Sequence, residues 1–179
     1  MPVTIRRAVE SDAAPLAHLA ELTFRQAFTA DNSDADMNLH CESSFGTKIQ
    51  RAEILDVNTT FLLAVSEGAM IGFGQLRLSS PKDCVPGDAP AELYRIYVLS
   101  DWHGSGVAHS IMSEALGHAA ANGSDAVWLG VWEHNNKAIS FYRKHGFGIV
   151  GEHEFRLGDD VQRDLVLAAD LTAGKAARI

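Results

Sequence analysis

The fold is decided by Glu92-Leu-Tyr-Arg-Ile-Tyr-Val98 and, three residues later, by Trp102-His-Gly-Ser-Gly-Val-Ala108. The first run is typical of a strand, and the second leads into an apolar pattern with helical spacing. A glycine-rich turn between a strand and a helix can direct several backbone N–H groups to one point beside the positive end of the helix dipole. Such a turn can bind phosphate, although many short turns of this kind bind nothing.

Other phosphate-binding motifs can be tested directly against the chain. It contains no Gly-x-x-x-x-Gly-Lys-Ser/Thr sequence, and the turn lacks the Gly-x-Gly-x-x-Gly spacing. Nucleotide hydrolysis is therefore disfavoured as the purpose of the turn.

The rest of the chain reads as alternating strands and helices on both sides of this turn. Before it we predict a strand at Val3–Arg7, a helix capped by Ser11 or Asp12, helices at Met37–Phe45 and Lys48–Leu55, and a hairpin of Thr59–Val65 with Met70–Leu78. After it we predict a helix from Gly104 to about Asn122, a strand at Ala126–Val131, a helix at Asn135–His145, and strands at Gly148–Glu154 and Val161–Leu167. The strand-helix-strand unit requires parallel neighbours and the hairpins antiparallel ones, so the fold class is α/β with a mixed sheet.

Composition limits the class of protein. The 179 residues, of which 46% are hydrophobic, suit one globular domain, assigned to residues 1–170 with a tail at 171–179. The net charge of −8 argues against a nucleic-acid partner or an anionic membrane surface. No signal peptide or membrane span is visible, and Cys41 and Cys84 read as reduced thiols, so a cytoplasmic location is expected.

A metal site is not expected, although the chain has 8 histidines. No pair of them has the His-x-x-x-His spacing that would put two ligands on one helical face.

The segment Val131 to Phe147 carries a second motif, Asn135-x-x-Ala138-x-x-Phe141-Tyr142-x-x-x-Gly146-Phe147. Together with His103-Gly-Ser-Gly106-Val-Ala108 it resembles the GNAT superfamily of acetyl-CoA-dependent N-acetyltransferases. That family has Asn-x-x-Ala-x-x-Phe-Tyr-x-x-x-Gly-Phe in this helix and Gln/Arg-x-x-Gly-x-Gly/Ala in the pyrophosphate turn. His103 departs from the pattern, since it stands where the family has Gln or Arg.

Two further stretches, Glu92 to Val98 and Val150 to Leu165, look like the PaiA-type bacterial polyamine acetyltransferases. The resemblance implies a sheet of about seven strands that splays between strands 4 and 5, acetyl-CoA as cosubstrate, and a small primary amine such as a polyamine as acceptor. A non-catalytic acyl-CoA-binding or sensory module, a protein or peptide N-acetyltransferase, and a homodimer remain alternatives that the sequence leaves open.

The resemblance also assigns site residues. In the family, the end of the strand before the turn holds the pantetheine arm through its backbone, the turn cradles the pyrophosphate, and the asparagine binds pantetheine or caps its helix. The coenzyme A site would then comprise Ile96, Tyr97, Val98, His103, Gly104, Ser105, Gly106, Val107, Ala108, His109, Asn135 and Tyr142.

Two side chains would take part in catalysis, Tyr142 and Glu92. The family's tyrosine, here Tyr142, donates a proton to the departing thiolate, whereas periodicity alone would make it a core aromatic. Glu92 is the candidate proton acceptor for the amine; on a regular strand it shares a face with Tyr94, Ile96 and Val98, and a bulge would change this. Some relatives use a glutamate where this chain has Gly130, which closes that option.

The acidic residues of one loop region admit two readings. They could form a rim that attracts a polyamine, or a solvated surface with no such role. These residues are Asp31, Asp34, Asp36 and Glu42.

Overall fold

The computed structural model describes residues 2–172, so residues 173–179 of the tail predicted at 171–179 lie outside that range. The strands are β1 (Val3–Arg7), β2 (Thr59–Ser66), β3 (Ala69–Arg77), β4 (Ala91–Val98), β5 (Ala126–Trp132), β6 (Gly148–Leu157) and β7 (Asp160–Asp170). The helices are α1 (Ala13–Phe28), α2 (Asp34–Ser44), α3 (Thr47–Leu55), α4 (Val107–Ala121) and α5 (Asn136–Lys144). Within the described residues, no helix combines the length and apolar character that crossing a membrane requires.

All seven strands form one mixed sheet in the order β1-β2-β3-β4-β5-β7-β6. Every neighbouring pair is antiparallel except β4 and β5, which are parallel as the sequence predicts. These two strands pair only at Ala91 with Val127 and Glu92 with Trp128. Beyond Glu92 they diverge, so the facing backbone edges are left without a partner strand and a cleft opens between them.

Helices cover both faces of the sheet. On one face, α4 and α5 pack through Met112, Ala115 and Ile139 against buried residues of β4, β5 and β7. On the other, α1 and α2 pack through Leu16, Phe24 and Met37 against β2 and β3. The splayed strands thus lie between two helical layers, and residues of both layers line the cleft.

A bulge in β4 decides where Glu92 points. Gln75 of β3 pairs with Arg95, but Leu76 pairs with Leu93, so Tyr94 is an extra residue in β4. Leu93 and Ile96 consequently pack on the same face, that of α4 and α5. Glu92 therefore does not share a face with Ile96 and Val98, as it would on a regular strand, because the extra residue reverses the alternation.

Several helix boundaries differ from the expectation; α2, for example, begins at Asp34 rather than Met37. Helix α4 begins at Val107 rather than Gly104, because Gly104 and Gly106 have φ angles of 78° and 90° that an α-helix cannot contain. Asp12 precedes α1 but does not cap it; its carboxylate accepts a hydrogen bond from the Val9 N–H at 2.8 Å and pairs with Arg6 at 2.7 Å.

Candidate active site

The splay between β4 and β5 opens into a cleft of about 820 Å³. One half is bounded by the end of β4, the glycine turn and α5, and the other by α1, β6 and β7. The predicted site residues that line it are Glu92, Ile96, Tyr97, Val98, His103, Gly104, Gly106, Ala108, His109, Asn135 and Tyr142. The tertiary fold therefore brings residues separated by up to fifty positions in sequence to one cavity.

Ser105 and Val107 are the predicted residues that do not line the cleft. The Ser105 N–H and hydroxyl both donate to the Trp102 carbonyl, at 3.3 and 2.6 Å. Val107, the first residue of α4, has its side chain buried in the hydrophobic core. Ser105 is therefore a turn-stabilising residue in this structure, because its donors already have an acceptor.

The glycine turn leaves other N–H groups available. Within residues 2–172, neither Gly104 nor Gly106 donates its N–H to an acceptor. Val107, Ala108 and His109 form the first turn of α4, where N–H groups have no intrahelical acceptor. Together these groups, at the positive end of the helix dipole, are suited to an anionic group such as a pyrophosphate.

His103 has a defined place at this turn. Its Nε2 lies 2.9 Å from the Val98 carbonyl oxygen, and its Nδ1 lies 3.2 Å from Lys137 Nζ. A carbonyl only accepts and an ammonium group only donates, so the contacts specify the neutral ring with its proton on Nε2. His103 therefore ties the end of β4 to α5 rather than presenting a charged ring.

Asn135 is the residue before α5, and its side chain caps that helix. The Oδ1 atom accepts a hydrogen bond from the Ala138 N–H at 3.1 Å. The side chain also lines the cleft, and its Nδ2 group makes no hydrogen bond among the described residues. Asn135 can thus cap the helix with its oxygen and donate to a ligand with its nitrogen.

Lysine and histidine side chains gather around the part of the cleft beside the glycine turn. They are His103, His109, Lys137, Lys144 and His145. The rings of His109 and His145 meet with Nδ1 and Nε2 3.1 Å apart, and burial together with His109 lowers the pKa of His145. Lys137 and Lys144 are the fixed cations of this set, since His103 is neutral and the pKa of His145 is lowered, and these two lysines favour an anion.

Two phenols project from opposite walls. Tyr142 of α5 and Tyr97 of β4 both line the cleft, and burial raises the pKa of each. Neither hydroxyl has a hydrogen-bond partner within residues 2–172, and the proximity of Tyr142 raises the pKa of Tyr97 further. Both phenols therefore stay protonated at neutral pH and can donate to a ligand.

Glu92 lies where β4 and β5 begin to diverge, with its side chain 13% exposed. Ser80 donates to its carboxylate at 3.3 Å, and Arg77 approaches it to 3.8 Å. Burial raises the pKa of Glu92, and Arg77, the Ser80 hydrogen bond and Lys82 offset part of that rise. Glu92 thus lines the cleft as a carboxylate whose burial is partly offset by nearby cations and one hydrogen bond.

The sequence did not indicate Asp164 of β7 or His153 of β6, which also line the cleft. His153 Nε2 lies 3.8 Å from Asp164 Oδ2, which is beyond hydrogen-bond distance. Burial raises the pKa of Asp164 to about 6 and, with Lys82, lowers that of His153. Both residues lie in the Val150 to Leu165 stretch that carries the PaiA resemblance, but only the pairing of β6 with β7 brings them together in the cleft.

The acidic residues that could have formed a polyamine-attracting rim are not part of this cavity. Asp31, Asp34, Asp36 and Glu42 do not line it. Asp36 instead accepts hydrogen bonds from Ser33 and from the Asp159 N–H at the β6–β7 turn. Within residues 2–172, the carboxylates that line the cleft are those of Glu92 and Asp164. Among the described residues, no three His, Cys, Asp or Glu side chains are grouped to hold a metal ion.

Comparison with known sequences gives consistent results. The model of the acetyltransferase (GNAT) family matches residues 18–147. An uncharacterized N-acetyltransferase of Mycobacterium tuberculosis is 30% identical over 161 residues, covering 90% of this chain and 99% of that protein. Another, from Lactobacillus delbrueckii subsp. lactis, is 28% identical over 165 residues, covering 92% and 95%.

Solved structures show the same fold. The PaiA N-acetyltransferase of Thermoplasma acidophilum, solved with coenzyme A, has a TM-score of 0.77 at 20% identity and covers 95% of this chain and 99% of that one. The ribosomal-protein-S18-alanine N-acetyltransferase of Escherichia coli has a TM-score of 0.69 at 17% identity and covers 95% and 94%. At these identities the likeness concerns the fold alone.

Proposed function

The chain belongs to the GNAT family of acetyl-CoA-dependent N-acetyltransferases, and we propose that its acceptor is a small primary amine of the polyamine class. The observation that carries this proposal is the charge division of the cleft. Lys137 and Lys144 line the part of the cleft beside the glycine turn, whereas the part proposed for the acceptor contains the carboxylates of Glu92 and Asp164. An anionic cosubstrate and a cationic acceptor would each meet complementary charge. In this proposal, residues 1–170 form a single catalytic domain.

The coenzyme would be held mainly by backbone groups. The free N–H groups at Gly104, Gly106 and the start of α4 suit the pyrophosphate. The unpaired edge of β4 at Ile96, Tyr97 and Val98 suits the pantetheine arm, with Asn135 Nδ2 as a second donor. His103 acts indirectly in this arrangement, by holding Lys137 and the end of β4 together.

Acetyl transfer would proceed by direct attack of the amine on the thioester. Holding both reactants in one cleft removes much of the entropic barrier, and backbone N–H groups near Val98 would stabilise the developing oxyanion. Glu92 would accept a proton from the amine, directly or through water. Tyr142 would donate its phenolic proton to the coenzyme A thiolate, a role that suits a buried tyrosine with no hydrogen-bond partner among the described residues.

The test is release of thiol from acetyl-CoA with a panel of polyamines, amino acids, aminoglycosides and peptide N-termini. We expect the highest kcat/KM for an aliphatic polyamine. Turnover of another class with inert polyamines would refute the acceptor class and leave the enzyme class intact. Tight coenzyme A binding without transfer to any amine would instead support a binding or sensory module, and a preference for peptides would support a protein N-acetyltransferase.

A further inference from the structure

Asp164 is a buried carboxyl group without a hydrogen-bond partner. Its side chain is 11% exposed, and its Oδ1 atom is buried and unbonded within the described residues. Its Oδ2 atom comes no closer than 3.8 Å to His153. Buried polar atoms are normally hydrogen-bonded, and an ionised carboxylate without a partner is especially unfavourable. The side chain therefore lacks a cationic or hydrogen-bonding partner that a ligand could supply.

Space for that partner is provided by Gly130 on the neighbouring strand β5. A Cβ atom at Gly130 would lie 3.0 Å from His153 Nε2 and 3.4 Å from Asp164 Oδ2. The absence of a side chain keeps this approach to the carboxylate open. Gly130, His153 and Asp164 all line the cleft, so the opening faces the cavity where the proposed acceptor would bind.

Asp164 forms no ion pair with a lysine or arginine within residues 2–172. Its ionisable neighbours are His153 of β6 and Tyr97 of β4, while β5 contributes none at Gly130. The cations in this region act on those neighbours, Lys82 on His153 and Arg95 on Tyr97. Burial lowers the pKa of His153, so this ring is neutral near pH 7 and is no counter-ion. Glu92, by contrast, already has Arg77 at 3.8 Å and a hydrogen bond from Ser80. A cationic acceptor would therefore gain more by pairing with Asp164 than with Glu92.

Asp164 shares the cleft with the side chains of the proposed reaction centre. Glu92, Tyr97, Tyr142 and Asp164 all line this cavity, and the charge of Asp164 and the proximity of Tyr142 both raise the pKa of Tyr97. An ammonium group bound to Asp164 would therefore lie in the same cleft as Glu92 and Tyr142.

We propose that Asp164 is a further catalytic residue, which pairs with the ammonium group of the acceptor and removes the first of the two protons that its nitrogen must lose. This inference rests on the proposed function. An alkyl ammonium cannot attack a carbonyl until an N–H bond breaks and leaves the electron pair on nitrogen. The proton passes to a carboxylate oxygen of Asp164, and the neutral amine forms the C–N bond.

The other proton transfers use Glu92 and Tyr142 in the roles already proposed for them. After the C–N bond forms, the nitrogen is again cationic and gives its second proton to Glu92. The C–S bond then breaks, and the thiolate takes the phenolic proton of Tyr142. When both carboxyls and the phenolate have returned to their starting states by exchange with water, one proton has been released overall. Each carboxylate thus serves one of the two deprotonations.

The test compares Asp164→Asn with wild type in the amine panel, beginning with a linear aliphatic diamine. We expect kcat/KM to fall about 10²-fold at neutral pH and the loss to shrink at alkaline pH, where the amine is already uncharged. Coenzyme A affinity, measured by calorimetry, should be unchanged. Glu152→Gln is the matched control, since Glu152 is an exposed carboxylate on β6 that pairs with Arg163 and does not line the cleft.

A second variant tests the same contact sterically. Gly130→Ala places a methyl group in the approach to Asp164, so the KM for the amine should rise more than kcat falls, again without loss of coenzyme A affinity. If wild type acetylates an amine but Asp164→Asn keeps its kcat/KM and pH profile, the role of Asp164 is refuted and the proposed function stands. If wild type acetylates no amine of the panel, both proposals are refuted.

Discussion

His103 Nε2 lies 2.9 Å from the carbonyl oxygen of Val98, the last residue of β4. The opposite ring nitrogen contacts Lys137 of α5 at 3.2 Å. A residue that stands where relatives carry Gln or Arg thus links the strand before the glycine turn to the helix after β5. The link spans the mouth of the splay, so it bears on how the turn is positioned for a ligand.

We expect His103→Ala to weaken coenzyme A binding about five- to tenfold, corresponding to roughly 1 kcal/mol for the lost hydrogen bond to Val98. His103→Gln should stay within about threefold of wild type, because its amide N–H₂ can donate to the same carbonyl. Isothermal titration calorimetry with coenzyme A measures both. Equal affinity of His103→Ala and wild type would contradict a positioning role for His103.

The proposed binding of pyrophosphate by the N–H groups of the glycine turn, here called the cradle, can be tested by substituting Gly106. Gly106 in the turn and Gly68 in the β2–β3 hairpin have φ angles of 90° and 82°, and an added Cβ would meet no atom within 4 Å at either site. Alanine should therefore cost about 1–2 kcal/mol of unfolding free energy at both positions through backbone strain alone. Only Gly106→Ala should also weaken coenzyme A binding, because relaxing that strain moves the turn. Equal coenzyme A affinities of the two variants would argue against the cradle.

We expect the two buried phenols to differ in function, with Tyr142 and not Tyr97 as the proton donor. Tyr142→Phe should lower kcat about 10²-fold with little change in coenzyme A affinity, because it removes a proton donor and leaves the ring in the core. Its unfolding free energy should change little, since the hydroxyl makes no hydrogen bond within residues 2–172. Tyr97→Phe is the control and should retain most activity. The opposite ranking of the two variants in steady-state kinetics would transfer the acid role to Tyr97.

The buried carboxyl of Asp164 should make stability depend on pH. Its folded-state pKa of about 6 lies above its ordinary value of 3.8, so folding favours the protonated form and stability falls as pH rises through this interval. Asp164→Asn lacks this penalty. We expect the variant to exceed wild type by at most about 3 kcal/mol near pH about 8, with the difference closing near pH about 4. Urea unfolding at the two pH values measures it; a constant difference would exclude an elevated pKa at Asp164.

Much of the fold could be predicted because it depends on local patterns. The β-rich apolar runs of β2, β3 and β5, the helical spacing of α4 and α5, and the short connections define element order and therefore the mixed sheet. The glycine turn and the Asn135 to Phe147 motif could also be read directly, because their spacings are contiguous. The placement of most predicted coenzyme-binding residues along one cleft follows from that order.

What the sequence alone determined is thus the set of strands and helices, the family, and the backbone groups suited to coenzyme A. The tertiary structure decided the rest: the bulge at Tyr94 that turns Glu92 to the other face, the engagement of Ser105 and His103, and the convergence of Asp164 with Gly130. The physical reason is that local periodicity encodes which side chains share a face within one element. Strand register and burial, which set partners and pKa values, arise only when elements distant in sequence pack together.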